Sequence, residues 1–368
     1  MKKILEMFGE PILRGGQESF VINTIQHMKL DGMQIDLLTP YYCRNAYYKQ
    51  IVNNLGGDIY ALDNQFNPGS SRKNIIPSIE KFFKAHHYDI VHIHSGSISV
   101  LAYGAMVARK AGVQRVIVHS HSSGEKKSLK HELIKIYAAP IFKKYATDFC
   151  ACSLSAAEWK FPKKICNNDV IVLRNGVDVE KFRFNESIRQ KMRKELGLED
   201  YWVVGHVGRF TEEKNQIYLI HVFEKLLKND HNIKLVFVGE GEELSFVKRE
   251  AKDRDLLDKV IFVGGVDNVS DYMQAFDIFT LPSLYEGFGN VAVEAQASGL
   301  PVISSDRVPQ DINLTGNVEY LPLEDSGELW ADKILKFRNF ERSDTSNIIC
   351  KCGYDINETA KQVTKLYS

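Results

Sequence analysis

Short apolar runs rich in Val, Ile, Leu and Phe alternate along the chain with longer stretches whose apolar residues recur at helical spacing. That alternation predicts parallel βαβ units and argues against an all-β sandwich. In the first half, strands are expected at residues 3–8, 34–39, 90–93, 115–119, 149–153 and 170–173. In the second half they are expected at 202–208, 234–239, 260–263, 278–281 and 301–304. Most of these runs are almost continuously apolar, as strands covered by helices on both faces require. Between the halves, Asn175-Gly176-Val177-Asp178 is a turn signal, followed by a charged stretch from Glu180 to Asp200. The second half then restarts with a strand and a glycine turn, Gly205-His206-Val207-Gly208-Arg209. The expected fold class is α/β: two doubly wound domains facing each other across a cleft, with a ligand at the carboxyl ends of the strands. Residues 1–180 would form the first domain and 181–345 the second, with 346–368 a C-terminal helix packing back on the first.

Length and charge narrow this picture. A chain of 368 residues fits two domains of ordinary size. Lys+Arg and Asp+Glu both number 47, so no overall cationic field points to nucleic acid as a partner. No run approaches the roughly 20 apolar residues of a spanning helix. The first apolar run is broken by Glu6, Gly9 and Glu10, short of a secretory core. The six cysteines, two of them in each of the pairs Cys150/Cys152 and Cys350/Cys352, lack zinc-ribbon spacing and read as reduced thiols in a cytosol.

Candidate chemistry concentrates in the second half. Arg209 directly follows a strand and Lys214 comes five residues later at an expected helix start, so both cations can converge on one anion, such as a diphosphate. Further on, Gly287-Phe288-Gly289-Asn290 forms a turn into a helix of small residues. Bare glycine amides and a helix N-terminus suit a phosphate there. Glu286 in the loop and Glu294 one turn into the helix would then accept hydrogen bonds from hydroxyls, as ribose and hexose rings offer. A sugar nucleotide answers to all of these groups. Asp253-Arg254-Asp255 falls in a charged stretch away from any strand end and is expected to be a solvated helix face, not a metal site.

Glu286 and Glu294, with seven residues between them and preceded by Arg209 and Lys214, resemble the retaining glycosyltransferases of family four, which have the GT-B fold. The same family order is carried by Arg14-Gly15-Gly16-Gln17-Glu18, His119-Ser120-His121, Asn175-Gly176-Val177-Asp178 and Gly299-Leu300-Pro301-Val302-Ile303. The resemblance implies that Arg209 and Lys214 hold the donor diphosphate, Glu294 the ribose and Glu286 the donor-sugar hydroxyls. It also places the amides of Phe288 and Gly289, with Asn290, against sugar and phosphate. Gly15 and Gly16 approach the donor from the first domain, and His121 lies near the reacting sugar. Gly208 and Gly239 belong to the glycine turns, and Val266 lies beside the nucleobase. The implied reaction moves a hexose or N-acetylhexosamine from a nucleoside-diphosphate sugar, UDP by family expectation, with retention and without cofactor or metal. The segment 302–321 resembles capsule and exopolysaccharide members, whose acceptor is a lipid-linked glycan. A sugar-nucleotide 2-epimerase or a non-catalytic sugar-nucleotide binder would use the same architecture.

From Arg109 to Lys164, twelve lysines and arginines face four acidic residues, and Leu129, Leu133, Ile136, Tyr137, Ile141 and Phe142 recur at helical spacing. A basic amphipathic helix of this kind, residues 126–145, can lie on an anionic membrane surface. The expected location is cytoplasmic and peripheral to the inner face of the plasma membrane.

Overall fold

Two all-parallel sheets carry the chain in the computed structural model, which describes residues 1–67, 72–121, 128–323 and 326–368. The first unit comprises residues 1–176 and 356–368. It contains β1 (Lys2–Phe8), β2 (Met33–Thr39), β3 (Ile59–Ala61), β4 (Ile90–His94), β5 (Arg115–Ser120), β6 (Asp148–Ala151) and β7 (Val170–Val172), in the order β3-β2-β1-β4-β5-β6-β7. The second unit, residues 177–355, contains β8 (Trp202–Val207), β9 (Ile233–Val238), β10 (Val260–Gly264), β11 (Ile278–Leu281), β12 (Val302–Ser305) and β13 (Val318–Leu321), in the order β10-β9-β8-β11-β12-β13. The strands expected from the apolar runs are all present, with ends moved by one or two residues. The short edge strands β3 and β13 were not expected. Of the stretch 346–368, the helix Ser346–Lys351 lies in the second unit and Ile356–Tyr367 belongs to the first.

Both sheets start in the middle, add two strands outward, and then place the fourth strand on the other side of the first. The crossovers therefore diverge between β1 and β4 and between β8 and β11, and each divergence leaves a crevice at the carboxyl ends of the strands. Period-two alternation fixes what each face buries. On β1, Leu5 and Met7 join one core while Ile4 and Phe8 join the other, beneath the helices Gly16–His27 and Ile356–Tyr367. Glu6 shares the face of Ile4 and Phe8. In register with it are His92 on β4, and then His94 beside Phe8 and His119 beside His94.

In the second unit, glycine permits the tips of neighbouring strands to meet. Gly239 has φ +146°, and a Cβ there would lie 2.0 Å from the Gly208 carbonyl oxygen. Gly239→Ala is therefore expected to destabilise the second unit by about 1–3 kcal/mol, read as a lowered urea midpoint with unchanged slope.

Candidate functional site

The rim of the second sheet is built from the loops after β8 and β11. Gly208 N donates to Val238 O at 3.0 Å, Phe210 N to Glu240 O at 2.9 Å, and Gly239 N to Gly264 O at 2.8 Å. These bonds lace together the tips of β8, β9 and β10, where Gly208, Gly239 and, just past Gly264, Val266 stand. Val266 is half-buried against the core. Beneath the loop, burial holds His206 neutral, at about 4. Its Nδ1–H donates to Thr280 O at 2.9 Å, so its Nε2 accepts from Gln216 Nε2 at 3.3 Å. Gln216 Nε2 also donates to Arg209 O at 3.0 Å, which fixes the backbone that carries Arg209. The Arg209 guanidinium is exposed and has no ion-pair partner among the described residues.

The β11 loop is tied to the β8 loop at three points. Leu284 N donates to Glu213 O at 2.8 Å; Asn215, held in the left-handed region at φ +53°, donates its Nδ2–H to Pro282 O at 3.1 Å. The third tie is an ion pair, Lys214 Nζ to Glu286 Oε1 at 2.5 Å. Ser283 Oγ donates to the same oxygen at 2.7 Å. Glu286 is thus pinned through Oε1 while Oε2 has no described partner. Gly289, at φ +98°, then admits the chain to the helix Asn290–Ala297, whose first turn has no side-chain cap. The helix dipole favours an anion at this end. Phe288 is buried and stacks on Tyr354 at 5.4 Å. Glu294 makes no ion pair or carboxylate hydrogen bond among the described residues, and burial pushes its carboxyl up to about 7, with Lys181 opposing. A half-buried carboxylate lacking donors among the described residues is set to receive them from a ligand. Asp253-Arg254-Asp255 lies at the end of the helix Leu244–Asp253, not on its face, with Arg254 paired to Glu224 and Glu250.

Gly15, Gly16 and His121 belong to the first unit. Gly15 precedes the helix Gly16–His27, and a Cβ there would lie 2.6 Å from Glu18 Oε2, which matches a tight turn. His121 follows β5 and joins a buried cluster that the motifs did not announce. Its Nε2 lies 2.7 Å from His94 Nδ1, and His94 Nε2 lies 2.6 Å from Glu6 Oε2. A second branch runs from Glu6 Oε1 to the Tyr367 hydroxyl, to His92 Nδ1 at 2.6 Å, and from His92 Nε2 to His119 Nδ1 at 3.1 Å. Nearby, Glu10 accepts from Gln17 at 3.0 Å and Ser95 at 2.9 Å, and burial brings the Lys160 ammonium, bonded to Gly96 O, down to about 8. The sequence signal for the cluster was present as polar residues at alternate positions of buried strands, Glu6, His92, His94 and His119. Tyr367 carried no such signal.

His92, His94 and His119 offer nitrogens within 4.8 Å of one another, the only such group of three among the described residues. A cation there would have to displace hydrogen bonds. Of their six nitrogens only His119 Nε2 is uncommitted.

Two family models match the chain: Glycosyltransferase Family 4 over residues 14–181 and Glycosyl transferases group 1 over residues 188–337. A protein of Bacillus subtilis (strain 168) named as a glycosyltransferase, EpsF, is 30% identical over 365 residues, covering 96% of this chain and 94% of its own length. An Escherichia coli protein named as UDP-Gal:alpha-D-GlcNAc-diphosphoundecaprenol alpha-1,3-galactosyltransferase is 32% identical, with 65% and 62% covered. The capsular polysaccharide biosynthesis glycosyltransferase CapH of Staphylococcus aureus is 26% identical, with 100% and 99% covered. Among solved structures, Anabaena HepE in complex with UDP and glucose matches with TM-score 0.77 at 20% identity, covering 100% of this chain and 99% of that one.

Proposed function

The chain belongs to the glycosyltransferases of group 1 and family 4, with the GT-B fold, and from that premise we propose that it transfers a hexosyl or N-acetylhexosaminyl group from UDP to a lipid-linked glycan, with retention and without a metal. The observation that carries this reading is the second rim. Arg209 without an ion-pair partner among the described residues, Lys214 paired to Glu286, and a helix start at Gly289 with no side-chain cap share this rim with the donor-starved Glu294. Departure of a nucleoside diphosphate develops negative charge on the β-phosphate. Two cations and the positive end of a helix dipole stabilise that charge, which is the part a divalent ion takes in other enzymes. Glu286, held by Ser283 and Lys214, presents Oε2 to a sugar hydroxyl, and Glu294 takes the ribose hydroxyls. The UDP donor and diphosphoundecaprenol-linked acceptor in the Escherichia coli relative's name support the substrate classes, and CapH supports a place in surface-polysaccharide assembly.

The helix Leu129–Tyr145 supports a peripheral membrane location. Leu129, Leu133, Ile136 and Tyr137 are exposed by 61–87% and repeat along one stripe, with Lys130, Lys143 and Lys144 exposed beside them. Phe142 is instead fully buried and Ile141 packs against the core, so the apolar stripe is shorter than the sequence spacing suggested. Lys126 and Lys127 lie outside the described residues. Glycans anchored to lipid would be met at that surface.

Four outcomes follow. UDP should raise the melting temperature whether or not EDTA is present, by mass action on the native state. Lys214→Ala should remove that shift and lower transfer by about 10²–10³-fold or more while the fold persists; undiminished turnover in this variant refutes the diphosphate assignment. Because Glu294 must be ionised to accept from ribose, the KM for the donor should rise as pH falls through about 7, and Glu294→Gln should abolish that dependence. Finally, the protein should float with anionic vesicles at low salt and sediment once Leu133 and Ile136 are both replaced by Ser. Equal flotation of the two proteins excludes this stripe as the membrane contact.

A further inference from the structure

A carboxylate only accepts hydrogen bonds, and a neutral imidazole has one N–H and one bare nitrogen. These two rules determine every proton in the first unit's buried cluster. Burial keeps His92, His94, His119 and His121 neutral, His94 down at about 3, so each ring carries a single N–H. With Glu6 ionised, His94 Nε2 must donate to it at 2.6 Å. His94 Nδ1 is then bare and accepts from His121 Nε2 at 2.7 Å, which leaves His121 Nδ1 with an unshared lone pair. On the other branch the Tyr367 hydroxyl donates to Glu6, its oxygen accepts from His92 Nδ1, and His92 Nε2 accepts from His119 Nδ1. That leaves His119 Nε2 bare. The two histidine nitrogens in the cluster that are buried without a partner among the described residues are these same two, His121 Nδ1 and His119 Nε2.

A proton added to Glu6 on the His94 side reverses that branch: His94 Nε2 becomes the acceptor, His94 Nδ1 the donor, and His121 Nδ1 acquires the N–H. No ring gains charge. The state of the carboxyl is therefore copied to the mouth of β5, two rings away. The groups facing Glu6 are His92 and His94 from β4 and Tyr367 from the helix Ile356–Tyr367, with His119 and His121 beyond them on β5. On β6, Cys150 is a buried thiol and Asp148 is paired with Arg115 at 2.7 Å. Apart from Arg115, which is spent on Asp148, none of these is a cation, and burial raises the Glu6 carboxyl above its ordinary range.

We propose that Glu6, relayed through His94, sets the tautomer of His121 so that Nδ1 accepts a hydrogen bond from a hydroxyl of the sugar-bearing substrate. Glu6 and His94 are then positioning residues, and His121 is the residue that touches substrate. Bare nitrogen backed by a buried carboxylate repels phosphate, so this rim takes the hydroxyl-bearing part of the substrates. The proposal rests on the glycosyltransferase reading for the identity of that substrate, while the tautomer itself does not depend on it.

Long-range ¹⁵N spectra of the imidazole rings in the full chain test the relay directly. In the wild type at neutral pH, His121 should show Nε2 protonated and Nδ1 bare, and acidification should exchange the two without charging the ring. A protonated Nδ1 at neutral pH overturns the proposal, and this measurement requires no variant to fold. In Glu6→Gln the carboxamide offers one N–H and one oxygen whichever way it lies, so either the His94–His121 branch or the His92–His119 branch must reverse. Unchanged tautomers on both branches overturn it. With donor saturating, so that Glu294 no longer titrates, kcat/KM for the acceptor should rise with pH at the midpoint of the His121 exchange. Glu6→Gln should remove that limb, and a limb that stays in place overturns the proposal. A chain that transfers no sugar from any nucleotide donor would instead sink the functional reading, and the spectra would still judge the relay.

Discussion

Parallel pairing is the constraint on which the rest of the molecule depends. A strand that must lie parallel to its neighbour cannot return through a hairpin, so each pair needs a helical crossover and all carboxyl ends fall on one rim. When the chain then reverses its winding direction after the third strand, adjacent crossovers part and leave space at that rim. Both units meet this condition with the same strand order, at β1/β4 and at β8/β11. Arg209, Lys214 and Glu286 sit on one such opening. His121, Ser95 and Glu10 sit on the other.

The two rims handle charge in opposite ways. In the second unit, charge is exposed or matched: Arg209 stands in water, and the half-buried Lys214 is paired to the buried Glu286 carboxylate, which also accepts from Ser283. The exposed cation remains available to an anion. In the first unit a carboxylate is taken out of water with no cation to match it. Only the dipoles of Tyr367 and His94 offset the cost of its burial, which leaves it more basic than an exposed carboxyl. Alternation along β1, β4 and β5 is what forces this. Glu6 on β1, His92 and His94 on β4 and His119 on β5 fall on one face by register, and that face is covered by Phe20 and Tyr367.

The sequence was legible where one local rule decides. The central strands β1, β4, β8, β9 and β11 are buried on both faces, and their mostly apolar runs announce them. The edge strand β3 is three half-buried residues without such a run, so periodicity carries no trace of it. The β8 and β11 loops were legible as motifs because they bring cation, glycine and carboxylate close together in sequence. The Glu6 cluster was not, because its members are scattered from residue 6 to residue 367 and meet only through sheet register and a returning helix. For the same reason Phe142 was assigned to an exposed stripe: helical spacing shows that residues share a face, and the tertiary neighbours Phe149 and Phe161 decide which part of the face is covered.

The first unit is written in two pieces, residues 1–176 and 356–368, with the whole of the second unit between them. A ribosome adding about 5–20 residues per second needs roughly ten to forty seconds to cross that insertion. Throughout this interval the nascent first sheet lacks Ala360, Val363, Leu366 and Tyr367, which complete its core beside Ile4, Phe8 and Leu173. The second unit is continuous and can close as soon as it emerges. Folding therefore finishes in the reverse of the order of synthesis: the half that is translated first is the last to become whole.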